Sequence, residues 1–218
     1  MNNMTFDPRD FYTKLDELYA AGDLQAVESF ILSAAKESRV ENEGRTSRHI
    51  MHMNELAGFY RGQSRFEEAM AAFQETEEAL LSLYGDYSSE YATFLNNKAG
   101  AHRMIGELEK SLALFQRSLE IYEVVGENNA YLLAGVLNNI AILYQVLEKK
   151  DMAIDALISA AEKLKENPQM KDELVTVLTN LVALFRDSGK EKEAQSYIED
   201  VKRIQAQMRG EDADIERA

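Results

Sequence analysis

The sequence predicts an all-α fold made of five stacked helical hairpins, and three observations lead to this prediction. Ala, Leu, Glu and Lys, which favour helices, are abundant, and strand formers do not alternate along the chain. The only two prolines stand at positions 8 and 168, so nearly the whole chain can be helical. A short polar turn between two apolar-periodic runs recurs at spacings of 42, 42, 42 and 41 residues, at Gly22, Ser64, Gly106, Glu148 and Gly189.

The five repeats align on both sides of this turn. Seven residues before it stand Leu15, Ala57, Ala99, Ala141 and Val182, and four before it stand Leu18, Tyr60, His102, Tyr144 and Phe185. Five residues after it stand Val27, Ala69, Ser111, Ala153 and Ala194, and nine after it stand Ile31, Phe73, Phe115, Leu157 and Ile198. Within each repeat, the two residues before the turn therefore share one face of the first helix, and the two after it share one face of the second, where the small residues allow close helix packing. One hairpin cannot bury its apolar face alone, so stacking makes the core.

The elements follow in order from caps and breakers. Asp7 is suited to cap a first helix that begins at Pro8, and polar breakers occur at 41–44, 126–129 and 167–169. Because Glu148 stands where glycine is usual, we expect the fourth turn to differ in shape. We expect helices at 8–20, 24–39, 46–61, 65–83, 88–104, 108–125, 129–147, 150–166, 170–187 and 191–208. These make one domain over 1–210, with repeats at 8–40, 46–84, 88–125, 129–166 and 170–208, and a charged, disordered tail at 211–218.

The repeat pattern resembles the tetratricopeptide repeat over roughly residues 8–208. Its 42-residue period exceeds the usual 34, and the longer form looks like the repeats of kinesin light chains. The segments LNNKA at 95–99 and LNNIAILY at 137–144 match the first-helix signature of that family, and YGDYSSEYAT at 84–93 is similar to its connector. The resemblance implies a right-handed α-α superhelix, or solenoid, whose first helices line a concave groove.

Composition excludes several classes of function. With no cysteine, the chain has neither disulfides nor thiolate metal sites, and a cytoplasmic location is the default expectation. The N-terminus shows no secretory signal, and no apolar stretch is long enough to span a membrane. The formal net charge of −14 argues against nucleic acid or an anionic membrane as the main partner.

A polar stripe beside the core of the first helices is the candidate peptide-binding groove. It contains asparagine and glycine, both poor helix formers, and a row of arginines in an otherwise acidic protein. Asparagine amides can hold a peptide backbone, and arginines suit carboxylates. Close helix packing or a close ligand could each account for Gly58 and Gly100. The predicted groove residues are Asn54, Arg61, Asn96, Asn97, Arg103, Asn138, Asn139, Gln145, Asn180 and Arg186.

Structural alternatives stay open for both residue types. The asparagines could instead form hydrogen bonds between adjacent repeats, and the arginines could form ion pairs with the many glutamates. His49 and His52, with Glu55 one turn on, could bind a metal, but no clear third ligand exists, so we expect a solvated or groove-edge pair and no metal. A chaperone-type carboxylate clamp is disfavoured because the corresponding groove positions, Met51, Thr93, Gly135 and Thr176, are uncharged.

The sequence favours a non-catalytic scaffold or adaptor that binds an extended, acidic peptide from a protein partner. No nucleophile–base pair or phosphate loop indicates an enzyme, and no cofactor is expected. One alternative is a sensor whose superhelix changes shape when a peptide or metabolite binds. Another is a structural repeat protein that self-assembles, for example as a homodimer.

Overall fold

The computed structural model describes residues 7–126, 130–165 and 167–210. Over these residues the chain forms α-helices, two short 3-10 helices at Glu41–Gly44 and Pro168–Met170, and no strand. None of the described helices is long and apolar enough to cross a membrane. The α-helices, named α1 to α10, are Pro8–Ala20, Leu24–Arg39, Ser47–Gly62, Phe66–Tyr84, Ser89–Met104, Leu108–Val125, Ala130–Val146, Lys150–Lys165, Lys171–Asp187 and Glu191–Arg209.

These helices confirm the predicted all-α class, and their ends differ from the predicted ones by one residue at most. Positions 129 and 166, which we expected to be helical, lie outside the described residues, as does the predicted tail at 211–218. Asp7 caps α1 as expected, because its side chain accepts a hydrogen bond from the backbone N–H of Arg9 at 2.9 Å.

The chain divides into two compact units with a boundary between residues 101 and 102, inside α5. The N-terminal unit holds α1 to α4 and most of α5, and the C-terminal unit holds the end of α5 and α6 to α10. Within the first unit α2 and α4 pack against α3, and within the second α8 packs against α7 and α9. A single domain over 1–210 stays a prediction.

The hairpin turns share one backbone conformation. Gly22, Ser64, Gly106, Glu148 and Gly189 have φ values of 71°, 59°, 83°, 58° and 71°. In the fourth turn the N–H of Lys149 donates to the carbonyl of Tyr144 at 2.8 Å, and equivalent bonds close the second, third and fifth turns. Our expectation of a different shape at Glu148 was wrong, because these bonds hold the residue in the left-handed region despite its Cβ.

The core follows the predicted columns of small and large residues. Val27, Ala69, Ser111, Ala153 and Ala194, the five residues that follow each turn by five positions, have no exposed surface. Of the residues in the other columns, only Leu18, Val182 and Ile198 are half-buried. All three belong to the first or the last of the five hairpins.

Candidate functional site

In the N-terminal unit, Arg61 connects two hairpins. Its Nη1 donates a hydrogen bond to the backbone carbonyl oxygen of Asn97 at 3.2 Å. The same atom lies 2.9 Å from the position that a Cβ on Gly100 would occupy. Close packing therefore accounts for Gly100, whereas a Cβ on Gly58 would meet nothing within 4 Å.

Asn54 of α3 has unused hydrogen-bonding capacity. Its Oδ1 is buried and has no hydrogen-bond partner within the described residues. Asn97, one repeat later, lines the same cleft as Asn54, and no hydrogen bond joins the two side chains in the described part of this unit. Unpaired buried polar atoms are rare in folded proteins, so this one marks a candidate ligand contact.

In the C-terminal unit, the corresponding asparagines do join two repeats. Nδ2 of Asn180 on α9 donates to Oδ1 of Asn138 on α7 at 2.9 Å. Hydrogen bonding between repeats, which the sequence left as an alternative to ligand binding, is thus present for this pair. The side chains of Asn96 in the N-terminal unit and Asn139 in the C-terminal unit are half-buried.

Arg103, Gln145 and Arg186 of the C-terminal unit are each at least partly exposed to solvent. Arg103 is half-buried, and its Nε is a buried atom with no hydrogen-bond partner among the described residues. Arg186 is exposed and lies 3.4 Å from Glu191, measured from Nε to Oε1. An ion pair between two such exposed side chains contributes only about 0–1 kcal/mol, so Arg186 can exchange this partner for a ligand. Gln145 is exposed.

A cleft of about 250 Å³ opens beside α3 in the N-terminal unit. It contains two of the predicted groove residues, Asn54 and Asn97, and the uncharged clamp positions Met51 and Thr93. The sequence prediction missed its other polar and aromatic lining residues, which are Tyr12, Ser47, Glu55, Tyr84 and Glu90.

Two carboxylates, those of Glu55 and Glu90, are the charged groups among the described residues that line this cleft. The hydroxyl of Tyr12 donates to Oε1 of Glu55 at 3.0 Å. Burial raises the pKa of the Glu55 carboxyl, while the bond from Tyr12 opposes this change. Burial also raises the pKa of Tyr12, and the charge of Glu55 adds to the effect. The described residues that line the cleft include no Lys, Arg or His.

The repeat period could have revealed two of the missed residues. Tyr12 lies 42 residues before Asn54, in the column of the first asparagine of each pair. Glu55 lies 42 residues before Asn97, in the column of the second. A tyrosine and a carboxylate therefore replace amides at this end of the array.

His49 and His52 are not a solvated or groove-edge pair, so that expectation was wrong. His49 is 3% exposed and His52 is fully buried. Ser38 Oγ lies 3.1 Å from Nδ1 of His49 and 3.0 Å from Nδ1 of His52, which places both rings against α2. Burial lowers the pKa of His52 to about 4, and the charge of Arg48 adds to this effect.

Comparisons with known proteins agree with this architecture. The chain is similar to the crystal structure of BtubC (BKLC) from P. vanneervenii, with 22% identity, a TM-score of 0.77, and coverage of 93% of this chain and 81% of that one. A putative kinesin light chain from Podosopora anserina with nearly identical TPR-like repeats matches with 14% identity, a TM-score of 0.74, and coverage of 92% and 95%.

Aspartyl phosphate phosphatase F from Bacillus subtilis is also similar, with 15% identity, a TM-score of 0.68, and coverage of 92% of this chain and 50% of that one. These likenesses show a shared fold of repeated helical hairpins. No curated protein matches the sequence. The model of the tetratricopeptide repeat matches residues 48–123 and 90–166, which together are more than half of the chain. The chain therefore belongs to the tetratricopeptide repeat family, with long repeats of the kinesin light chain kind.

Proposed function

We propose that this protein is a non-catalytic scaffold that binds an extended peptide segment of a protein partner on the faces of its first helices. Members of the tetratricopeptide repeat family typically serve as protein-interaction scaffolds. The observation that carries the proposal is unused hydrogen-bonding capacity on these faces. Asn54 Oδ1 and Arg103 Nε are both buried without a hydrogen-bond partner among the described residues, and both belong to the groove predicted from the sequence.

Two further features support binding on these faces. Gly58 leaves open space on α3, although glycine within a helix costs about 1 kcal/mol relative to alanine. A ligand backbone that approaches α3 closely would explain why no side chain stands there. In the C-terminal unit, Arg103 and Arg186 suit a carboxylate of the partner, because guanidinium groups form charge-assisted hydrogen bonds with carboxylates. The proposal therefore includes an acidic group in the bound segment. It also includes a cytoplasmic location, which agrees with a sequence that contains no cysteine.

Affinity purification from the native cell extract tests the proposal. The wild type is compared with the double variant Arg103→Ala/Arg186→Ala, which removes two positive charges from the first helices. The matched control is Lys110→Ala/Lys192→Ala, which removes two charges from exposed positions on the second helices α6 and α10. We expect a partner that the wild type and the control retain and that the arginine variant loses. Equal retention by all three proteins would contradict the assignment to Arg103 and Arg186.

The purified partner segment then distinguishes a static scaffold from a sensor. A scaffold keeps the same radius of gyration in solution scattering when the segment binds. Compaction on binding would favour the alternative, in which the ligand changes the shape of the repeat array. A mass that rises with protein concentration in the absence of any partner would favour the self-assembling alternative.

A further inference from the structure

We propose that the cleft beside α3 binds a basic side chain, lysine or arginine, of an extended partner peptide. This inference rests on the proposed scaffold function and adds a chemical specificity to its N-terminal unit. The cleft is lined by residues of α1, α3, α4 and α5, all within that unit. Three of its properties favour a cationic group.

Charge is the first property. Glu55 and Glu90 both line the cleft, and none of the described lining residues is basic. A cation that enters therefore meets two carboxylates without competition from a lining lysine, arginine or histidine. An anionic group would meet the same carboxylates and would be repelled.

Aromatic surface is the second property. Tyr12 and Tyr84 line the cleft, and 38% of the Tyr12 surface is exposed. Lysine and arginine side chains are attracted to the faces of tyrosine rings, and carboxylates beside the rings add to that attraction. The hydroxyl of Tyr12 donates to Glu55 at 3.0 Å, so the ring and the carboxylate are held together before a ligand arrives.

The third property is a missing bond between repeats. Each repeat carries a pair of adjacent positions on its first helix, and a bond can run from the first position of one repeat to the second position of the next. Tyr12 and Glu55 are joined by such a bond in the N-terminal unit, and Asn138 and Asn180 are joined by one in the C-terminal unit. Asn54 and Asn97 stand in the same relationship, but no hydrogen bond joins their side chains among the described residues.

This missing bond leaves an acceptor of a cleft-lining residue without a partner among the described residues. Asn54 Oδ1 stays unpaired, and an unpaired buried acceptor is unfavourable. A donor from a bound peptide could pair with the Asn54 amide, while the basic side chain of that peptide extends toward Glu55 and Glu90. Burial raises the pKa of Glu55 because it destabilises the charged carboxylate. A nearby cation would stabilise that charged form, which agrees with this arrangement.

Titration followed by NMR of the full-length protein tests the inference. The probes are methylguanidinium, n-butylammonium and, as an anionic control, acetate. We expect both cations to produce saturable shifts in the backbone amides of Asn54, Glu55 and Thr93, and acetate to produce none. The variant Glu55→Gln/Glu90→Gln should bind the cations about fivefold or more weakly.

The matched control is Glu67→Gln/Glu78→Gln, which removes two exposed carboxylates from α4 and should leave the affinity for the cations unchanged. Equal weakening by both variants, saturable binding of acetate, or the absence of saturable shifts with the cations would each overturn the inference. The proposed function has a separate readout, since the partner retained in affinity purification depends on Arg103 and Arg186 in the C-terminal unit. If that partner is retained while the cations fail to bind, the scaffold stands and the cleft assignment fails.

Discussion

The guanidinium of Arg61 occupies the space that a side chain at Gly100 would fill, with Nη1 2.9 Å from the position of that missing Cβ. The same group donates to the carbonyl of Asn97 at 3.2 Å. Gly58 lies on the preceding first helix, one 42-residue period earlier, and has no such neighbour. Two glycines that are equivalent in the repeat therefore have different reasons to be there.

This difference predicts that the same substitution stabilises the protein at position 58 and has little effect at position 100. Gly58→Ala should raise the free energy of unfolding by about 1 kcal/mol, because alanine favours the helix and meets no neighbour. Gly100→Ala should change the free energy of unfolding by less than about 0.5 kcal/mol. The new methyl group displaces Arg61, and the lost hydrogen bond offsets the gain in helix preference. Urea unfolding measures both. In an Arg61→Ala background, Gly100→Ala should also raise the free energy of unfolding. If it does not, the Arg61 side chain is not what opposes an alanine at position 100.

The fourth turn offers a stabilising substitution. Glu148 has φ 58°, and a left-handed conformation costs a residue with a Cβ about 1–2 kcal/mol. Glu148→Gly should therefore raise the free energy of unfolding by about 0.5–1 kcal/mol after the greater entropy of glycine in the unfolded chain is deducted. Gly106→Ala, at φ 83° in the preceding turn, should lower it by about 1 kcal/mol. Thermal unfolding of the two variants checks this, and a lower midpoint for Glu148→Gly would contradict it.

The turns also show how far the sequence predicts the fold. The 42-residue period located Gly22, Ser64, Gly106, Glu148 and Gly189, and all five adopt the same left-handed conformation. For the turns, only the expected difference in shape at Glu148 was wrong. That expectation gave the intrinsic preference of glycine for the left-handed region more weight than the hydrogen bond that closes the turn. The N–H of Lys149 binds the carbonyl of Tyr144 whatever side chain stands at 148, so Glu148 conforms to the repeat.

The buried His52 predicts a loss of stability in mild acid. Burial, followed by the charges of Arg48 and His49, lowers the pKa of His52 from 6.5 to about 4, and the carbonyl of Ala34 and the charge of Glu37 oppose this shift. Because the unfolded chain binds this proton more readily, the stabilising contribution is present above pH 6.5 and is lost as the pH falls toward 4. Between pH 7 and pH 5 the loss attributable to His52 is about 2 kcal/mol.

Urea unfolding at several pH values isolates this contribution when wild type is compared with His52→Gln. The wild-type free energy of unfolding should fall more steeply between pH 7 and pH 5 than that of the variant. Parallel curves would show that His52 titrates with an ordinary pKa in the folded protein. NMR titration of the His52 ring provides the same pKa directly.

The asparagine pairs predict different coupling energies in the two units. In the C-terminal unit, a double-mutant cycle of Asn138→Ala and Asn180→Ala should show a coupling of about 0.5–1.5 kcal/mol, because the 2.9 Å bond joins the two amides. In the N-terminal unit, the equivalent cycle of Asn54→Ala and Asn97→Ala should show a coupling near zero. Equal couplings in the two cycles would mean that Asn54 and Asn97 are joined after all.

Less of the candidate site than of the fold could be predicted from the sequence. Helical spacing predicted one polar stripe that contains Asn54 and Asn97, but it could not tell which amides bind each other, since Asn138 and Asn180 occupy the corresponding positions of later repeats. The carboxylate of Glu55 was overlooked because it interrupts a column of asparagines. His49 and His52 were placed at the surface because a helical pattern does not reveal that Ser38 of the preceding helix faces them.

Position-specific photocrosslinking tests the central claim, that the partner binds the first helices, most directly. A photoreactive amino acid replaces Gln145, which is exposed on the first helix α7, or Gln116, which is exposed on the second helix α6. After irradiation in the native extract, we expect a protein crosslinked through position 145 that is not crosslinked through position 116. A partner captured through position 116 and not through 145 would place binding on the second helices and would contradict this account.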